Sequence, residues 1–405
     1  MHIIILTTLY PTKAVPYGGT FIYERIKQLE VQEIPYTIYV IVRNYSKVVR
    51  LLYWFINGKK LQNLAPISWC ASSKSILVED TLSIWDIIIR YFHFASEGNR
   101  IFENLASKNI PTDSGSIIHA QYLYPLGYAA VKLAKDKHVP CVVTSHDSIA
   151  FNDISLLKNN SQKKVCETLA LADKIICVSE SNLEDGKQAQ CIGDNSVVIS
   201  NGLNPQIFYP MEKAVALEKT GFHQIKKYVV GFVGTLGYVK RADRFPDIFI
   251  KIKEIIPDVE FVLVGTGKFK FSVQKTCKDY GLHVTFIEPV HPTKVAAWMN
   301  LFDVLILPSR QESWGCVIRE AYACGVPVVG SNIEGIPEAM GRFGCIVDEG
   351  KDFEKRFALA VSELLQGKIF VSKEELMRFA AQNTWEVCVK KEISIYQSVL
   401  NKDSS

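Results

Sequence analysis

The sequence has no long uncharged apolar run. Its best candidate, residues 76–95, is interrupted by Glu79, Asp80, Asp86 and Arg90, whereas a membrane-spanning helix needs ~18 or more such residues. No basic leader precedes the short apolar run at residues 1–6. A secretory signal is therefore not expected there, and the run reads as a first buried strand. The ten cysteines contain no C-x-x-C pair. That argues against a zinc site and a disulfide framework, and fits reduced cysteines in a cytosol. Charge of one sign is scarcely in excess, at +4 over 405 residues, so there is no general case for nucleic acid as a partner. What is present, 48% hydrophobic and 22% charged residues, excludes disorder, collagen and coiled coil. The length suits two or three domains.

One local imbalance stands out. Arg43, Lys47, Arg50, Lys59 and Lys60 occur without an acid among them. Tyr45, Leu51, Leu52, Tyr53, Trp54, Phe55 and Ile56 are interleaved. Apolar side chains that insert and cations that meet lipid headgroups suit an anionic membrane surface. Residues 43–60 are thus a candidate membrane contact; the plainer reading is a solvated basic loop beside a core helix.

Short apolar runs alternate with amphipathic stretches. Strands are expected at 2–8, 38–42, 116–119, 141–145 and 174–179, with helices near 21–32 and 126–136. The pattern restarts at residue 228. Strands are expected at 228–233, 260–264, 284–287, 304–307 and 327–329, and helices near 242–256, 270–280, 294–300 and 317–324. Buried runs of four to six residues between helices signal parallel sheets covered on both faces. The fold class is therefore α/β, with two doubly wound Rossmann-like domains at 1–205 and 228–383, joined by a linker at 206–227. Residues 53–110 fit least well and read as a helical insertion. A last amphipathic helix is expected near 384–400. Ligands of such sheets lie beyond the carboxyl ends of the strands, so the expected site is the cleft between the domains.

The most informative segment begins at Pro308: PSRQESWGCVIREAYACGVPVVGSNIEGIP. A strand ends, a polar loop carries Glu312, Ser313, Trp314 and Gly315, and a helix begins near Cys316 and stops at Gly325. The free N–H groups of Cys316 and Val317 and the positive dipole end make an anion site there. Glu320 follows Glu312 by eight positions, inside the helix. A second loop, GFVGTLGYVKR from Gly231, carries Lys240. VGTGK from Val264 fails as a dinucleotide fingerprint, because Lys270 stands where a third glycine is needed.

These segments closely resemble the retaining glycosyltransferases of family 4, which have the GT-B fold. The resemblance implies that Glu312 bonds donor-sugar hydroxyls and Glu320 the nucleotide ribose. Amides around Gly315, Cys316 and Val317, together with Lys240, would hold the diphosphate. Two departures stand: Ser313-Trp314-Gly315 replaces the usual Gly-Phe-Gly, and Thr235 replaces the usual arginine, with Arg241 adjacent to Lys240. In the first half, TLYPTKAVPYGGTF from Thr8 offers Gly18 and Gly19 as donor-side glycines, and spacing does not choose between them. TSHDS from Thr144 places His146 where the family has a sugar- or acceptor-contacting histidine, with Asp147 in place of a glycine.

The resemblance implies transfer of a hexosyl or N-acetylhexosaminyl group from a nucleotide diphosphate sugar to a hydroxyl, with retention. His146 and Glu312 would be the catalytic residues. No Asp-x-Asp triplet occurs, in keeping with no metal and no cofactor. GTFI from Gly19 and HAQYLYPLG from His119 resemble bacterial enzymes of surface-polysaccharide assembly. The expected acceptor is a glycan, lipid-linked, and the expected location is cytoplasmic at the inner membrane face. The competing readings are a non-catalytic scaffold of the same fold and a sugar-nucleotide epimerase.

Overall fold

Strands rich in Val and Ile, buried on both faces, form two parallel sheets in the computed structural model, which describes residues 1–11, 18–57, 74–86, 95–146 and 159–402. The chain divides into two units: residues 1–200 with those from Cys388 onward, and residues 201–387.

The first unit holds β1 (His2–Thr7), β2 (Tyr36–Tyr45), β3 (Ser75–Leu82), β4 (Ser116–Gln121), β5 (Cys141–Ser145), β6 (Lys174–Cys177) and β7 (Ser196–Val198). Their order is β3-β2-β1-β4-β5-β6-β7. The helices are α1 (Thr20–Val31), α2 (Lys47–Asn57), α3 (Ala95–Ala106), α4 (Tyr128–Lys137), α5 (Asn159–Leu169) and α6 (Glu180–Gln188). Side chains alternate across a strand, so β1 feeds two cores. Ile4 and Leu6 pack with Ile101 of α3 and Ala129 and Leu133 of α4. Ile3 and Ile5 pack with Ile22, Ile26 and Leu29 of α1.

The second unit holds β8 (Tyr228–Val233), β9 (Val259–Val264), β10 (Val284–Ile287), β11 (Val304–Leu307), β12 (Val328–Ser331) and β13 (Cys345–Val347), in the order β10-β9-β8-β11-β12-β13. Its helices are α7 (Lys213–Thr220), α8 (Phe245–Ile255), α9 (Lys270–Asp279), α10 (Pro292–Met299), α11 (Cys316–Ala323), α12 (Ile336–Met340), α13 (Phe353–Leu365) and α14 (Lys373–Ala381). The last helix, α15 (Trp385–Lys402), begins in the second unit. From Cys388 onward it belongs to the first, where Cys388, Val389, Tyr396 and Val399 join the α1-side core.

Three expectations change. The stretch 53–110 is not only helical: β3 pairs in register with β2 at the sheet edge. The segment 206–227 carries α7, whose Ala216 is fully buried. Cys166 and Cys191 are joined by a disulfide, because α5 and the turn after α6 meet, although their separation of 25 residues gives no local spacing signal. No helix among the described residues is long and apolar enough to cross a membrane.

Candidate functional site

In the second unit, β8 and β11 are neighbours, but the chain after β8 continues to β9 and the chain after β11 to β12. Connections that leave adjacent parallel strands in opposite directions open a crevice at their carboxyl ends. Lys240, in the loop after β8, and Glu312, in the loop after β11, meet there as an ion pair, 23% and 13% exposed. Glu312 is fixed from three sides. Its backbone N–H donates to the Glu334 carboxylate at 2.7 Å. Its carbonyl accepts from the Gly335 N–H at 3.0 Å. Ser309 Oγ stands 3.4 Å from its carboxylate.

Gly335 has no room for a side chain: a Cβ there would lie 2.0 Å from the Ser313 carbonyl oxygen. The turn after β12 therefore clamps the loop after β11. Ser313 is buried. Trp314 is buried as well, with the Arg319 guanidinium 5.7 Å over its ring; its side chain is an anchor of the unit, so only its backbone remains for a ligand. Gly315, at φ 72°, caps α11 with the left-handed conformation glycine accepts. Cys316 and Val317 open α11, where N–H groups lack intrahelical acceptors. Glu320 lies one turn on, partly exposed. Burial, with Glu320 and then Glu312 beside it, pushes the Cys316 thiol up, so it is neutral.

The remaining cations of this region are engaged. Arg241 donates to the Pro308 carbonyl at 2.9 Å and to both Glu349 oxygens at 2.6 Å. Its guanidinium stacks 4.0 Å over Phe353. It is a structural tie and does not replace the arginine missing at the exposed Thr235. Arg310 is held by Asp243 at 2.6 and 2.9 Å. Gly265 and Gly267 serve loop packing. A Cβ at either would strike the Gly234 or the Leu236 carbonyl, at 2.0 and 2.5 Å.

In the first unit, Gly19 caps α1 at φ 68°, and a Cβ would lie 2.7 Å from the Leu9 carbonyl oxygen. That close approach separates it from the partly exposed Gly18. His146, just past β5, is buried between Phe21 and Tyr122, ring centroids at 4.9 and 5.3 Å. Its Nε2 bonds Gln121 Oε1 at 2.8 Å. Burial, with Arg25 and His119 nearby, holds its pKa well below the usual histidine value. Asp147 lies outside the described residues. Gln121, Glu334 and Gly335 lie inside segments that carry the resemblance but have no role assigned from the sequence; each supports a predicted residue. A cavity of about 450 Å³, lined by His2, Thr37, Tyr39 and Lys108 among others, shares no residue with these loops.

Two doubly wound parallel sheets, with such loops at the strand ends, define the GT-B scaffold. The crystal structure of Anabaena HepE in complex with UDP-glucose matches it with a TM-score of 0.69 at 15% identity, over 98% of this chain and 99% of that one. The family model "Glycosyl transferases group 1" matches residues 227–367, and "Glycosyltransferase Family 4" matches residues 102–207. Together they span more than half of the chain, which belongs to the group 1, family 4 glycosyltransferases. An uncharacterized glycosyltransferase of Methanocaldococcus jannaschii is 27% identical over 72% of this chain and 78% of its own length. D-inositol 3-phosphate glycosyltransferase of Mycobacteroides abscessus is 25% identical over 73% and 72%.

Proposed function

We propose that this glycosyltransferase moves a hexosyl or N-acetylhexosaminyl group from a nucleoside diphosphate sugar to a glycan hydroxyl, with retention and without a metal. The observation that carries the reading is the Lys240–Glu312 pair beside the first turn of α11. With no donor bound, each charge compensates the other. A diphosphate takes Lys240 and the N–H groups of Cys316 and Val317, which releases Glu312 to sugar hydroxyls, while Glu320 takes the ribose. Charge that develops on the leaving diphosphate then meets donors already in place. The acceptor oxygen bonds to the anomeric carbon as the carbon–oxygen bond to phosphate breaks, and the acceptor proton passes to the departing phosphate. From the first unit the proposal takes Gly18 and Gly19 near the phosphates, and His146 as the residue that hydrogen-bonds sugar or acceptor.

The acceptor we propose is a lipid-linked glycan of surface-polysaccharide synthesis, met at the inner face of the membrane. Helix α2 supports this. Val48, Leu51, Trp54, Phe55 and Ile56 are exposed, the last two by 69% and 79%, and Lys47 is exposed beside them. Arg43 is not part of this surface charge, because it pairs with the buried Glu97. Lys59 and Lys60 lie outside the described residues. One observation favours a second reading, a scaffold without activity: Thr235 offers no charge to a diphosphate, and Arg241 is committed elsewhere.

The test is thermal unfolding with UDP, GDP, ADP, CDP or dTDP, without metal. A ligand of the folded state stabilises by RT ln(1 + [L]/Kd), about 2.7 kcal/mol at 100 Kd. We expect one nucleotide to stabilise the wild type but not Glu320→Ala. HepE was crystallised with UDP-glucose, which makes UDP the first nucleotide to try. No shift with any of them would leave the scaffold reading standing.

A further inference from the structure

Five side chains of the first unit close a buried ring. Arg25 (α1) faces Glu392 (α15) as an ion pair at 3.3 Å, both almost fully buried. Arg25 also donates to Thr144 Oγ1 at 3.3 Å. His119 (β4) bonds Thr144 through Nε2 at 2.7 Å and Tyr396 Oη through Nδ1 at 2.7 Å. Tyr396 Oη reaches Glu392 at 3.4 Å.

The ring has one direction. Arginine only donates, and a carboxylate only accepts. Thr144 receives the Arg25 N–H, so its own hydroxyl proton is free to point to His119 Nε2. That nitrogen is then an acceptor, and the single proton of the ring sits on Nδ1 and points to Tyr396. The Tyr396 hydroxyl in turn donates to Glu392. Burial and the Arg25 charge bring the His119 pKa down to about 3, so the ring is neutral and carries one proton.

Gln121 connects His119 to His146. Gln121 Nε2 lies over the face of the His119 ring, 3.3 Å from Nε2 and 3.4 Å from Nδ1. The electron-rich face of a neutral imidazole accepts an amide N–H and repels a carbonyl oxygen, so the carbonyl end of Gln121 faces His146 Nε2. We propose that Gln121 is a positioning residue that fixes His146 in the Nε2–H tautomer, its amide oriented by the His119 ring. His146 Nδ1 is thereby kept as an acceptor. It is buried and has no hydrogen-bond partner among the described residues, so it is ready for a substrate hydroxyl. This rests on the proposed sugar-transfer role of His146. It adds that α15, far along the chain, holds through Tyr396 the His119 ring that orients Gln121.

The experiment is long-range ¹H–¹⁵N correlation on the full chain labelled with ¹⁵N-histidine, without substrate. His146→Gln assigns the His146 signals, and thermal unfolding checks the fold of each variant. We expect a pure Nε2–H pattern for His146 in the wild type. Gln121→Met should give a mixture of tautomers, and so should His119→Leu, which leaves Gln121 itself intact. Gln121→Glu keeps an acceptor facing His146 and should restore the Nε2–H form. In the transfer assay, Gln121→Met should lower kcat by about tenfold, with the donor KM within about twofold. A His146 that is Nδ1–H or doubly protonated in the wild type would overturn the inference. So would a tautomer unchanged in both Gln121→Met and His119→Leu. Absence of any sugar transfer by the wild type would instead sink the functional reading, and the tautomer data would still decide the orientation of Gln121.

Discussion

Glu312 owes its position to residues that carry no motif. Its amide is held by Glu334 and its carbonyl by Gly335, and its carboxylate is paired with Lys240. Glu320, one helical turn into α11, has a different role in the proposal, to take the ribose. The two should separate in kinetics. Glu312→Ala is expected to lower kcat by roughly 100-fold with little change in nucleotide affinity. Glu320→Ala is expected to weaken nucleotide binding by about 10-fold or more, the value of a hydrogen bond to a charged group. Steady-state kinetics and calorimetric titration of the nucleotide read the two effects. Equal loss in both parameters for both variants would contradict the assignment. At this scale the sequence revealed the residues whose chemistry is unusual in its setting, such as the loop glutamate and the lysine after Gly237. It concealed those whose role is to hold. Gln121 looks like any strand residue, and its meaning comes from His119 and His146, two and 25 positions away.

The central strands were legible because they are largely buried on both faces: β5, β8 and β11 fall where the apolar runs predict. Of the edge strands only β10 does so, and its four residues are all just partly buried. β3 alternates exposed and buried residues along its length, and its buried Asp80 reads as a polar break. That carboxylate is hidden because Arg100 of α3 grips it at 2.7 and 2.8 Å and Asn104 adds a third bond at 3.0 Å. Such a long-range pair leaves no periodic trace. β7 and β13, three residues each, are too short to rise above their loops. Helix α2 was visible for the opposite reason, as aromatic and aliphatic residues in excess of what a covered face needs. If it docks on lipid, Phe55→Ser with Ile56→Ser should cut co-sedimentation with phosphatidylglycerol vesicles at least severalfold and leave nucleotide-induced stabilisation unchanged. Equal sedimentation of variant and wild type would remove the membrane from the proposal.

For the whole molecule, two buried histidines bind its stability to pH. His119 titrates only near pH 3 when folded, and His146 is also held well below the ordinary value. Unfolded, both take up a proton near pH 6.5. The unfolded state therefore binds more protons below that value, so stability is full above pH 6.5 and falls as the solution is acidified towards pH 3. Each histidine weakens folding by up to about tenfold per pH unit. His119 faces Arg25, Gln121, Thr144 and Tyr396, and Glu392 stands behind Tyr396. Urea midpoints at pH 7.5 and 5.5 should differ less for His119→Gln than for the wild type. The first unit is also discontinuous: its last helix returns after all 187 residues of the second. On a ribosome that adds about 5–20 residues per second, the nascent first unit waits some ten to forty seconds for Glu392. Through that interval Arg25 is without Glu392, and the α1 side of the sheet is without the residues α15 supplies. The half of the protein made first is thus the half finished last, after the second unit, contiguous in the chain, has had time to fold.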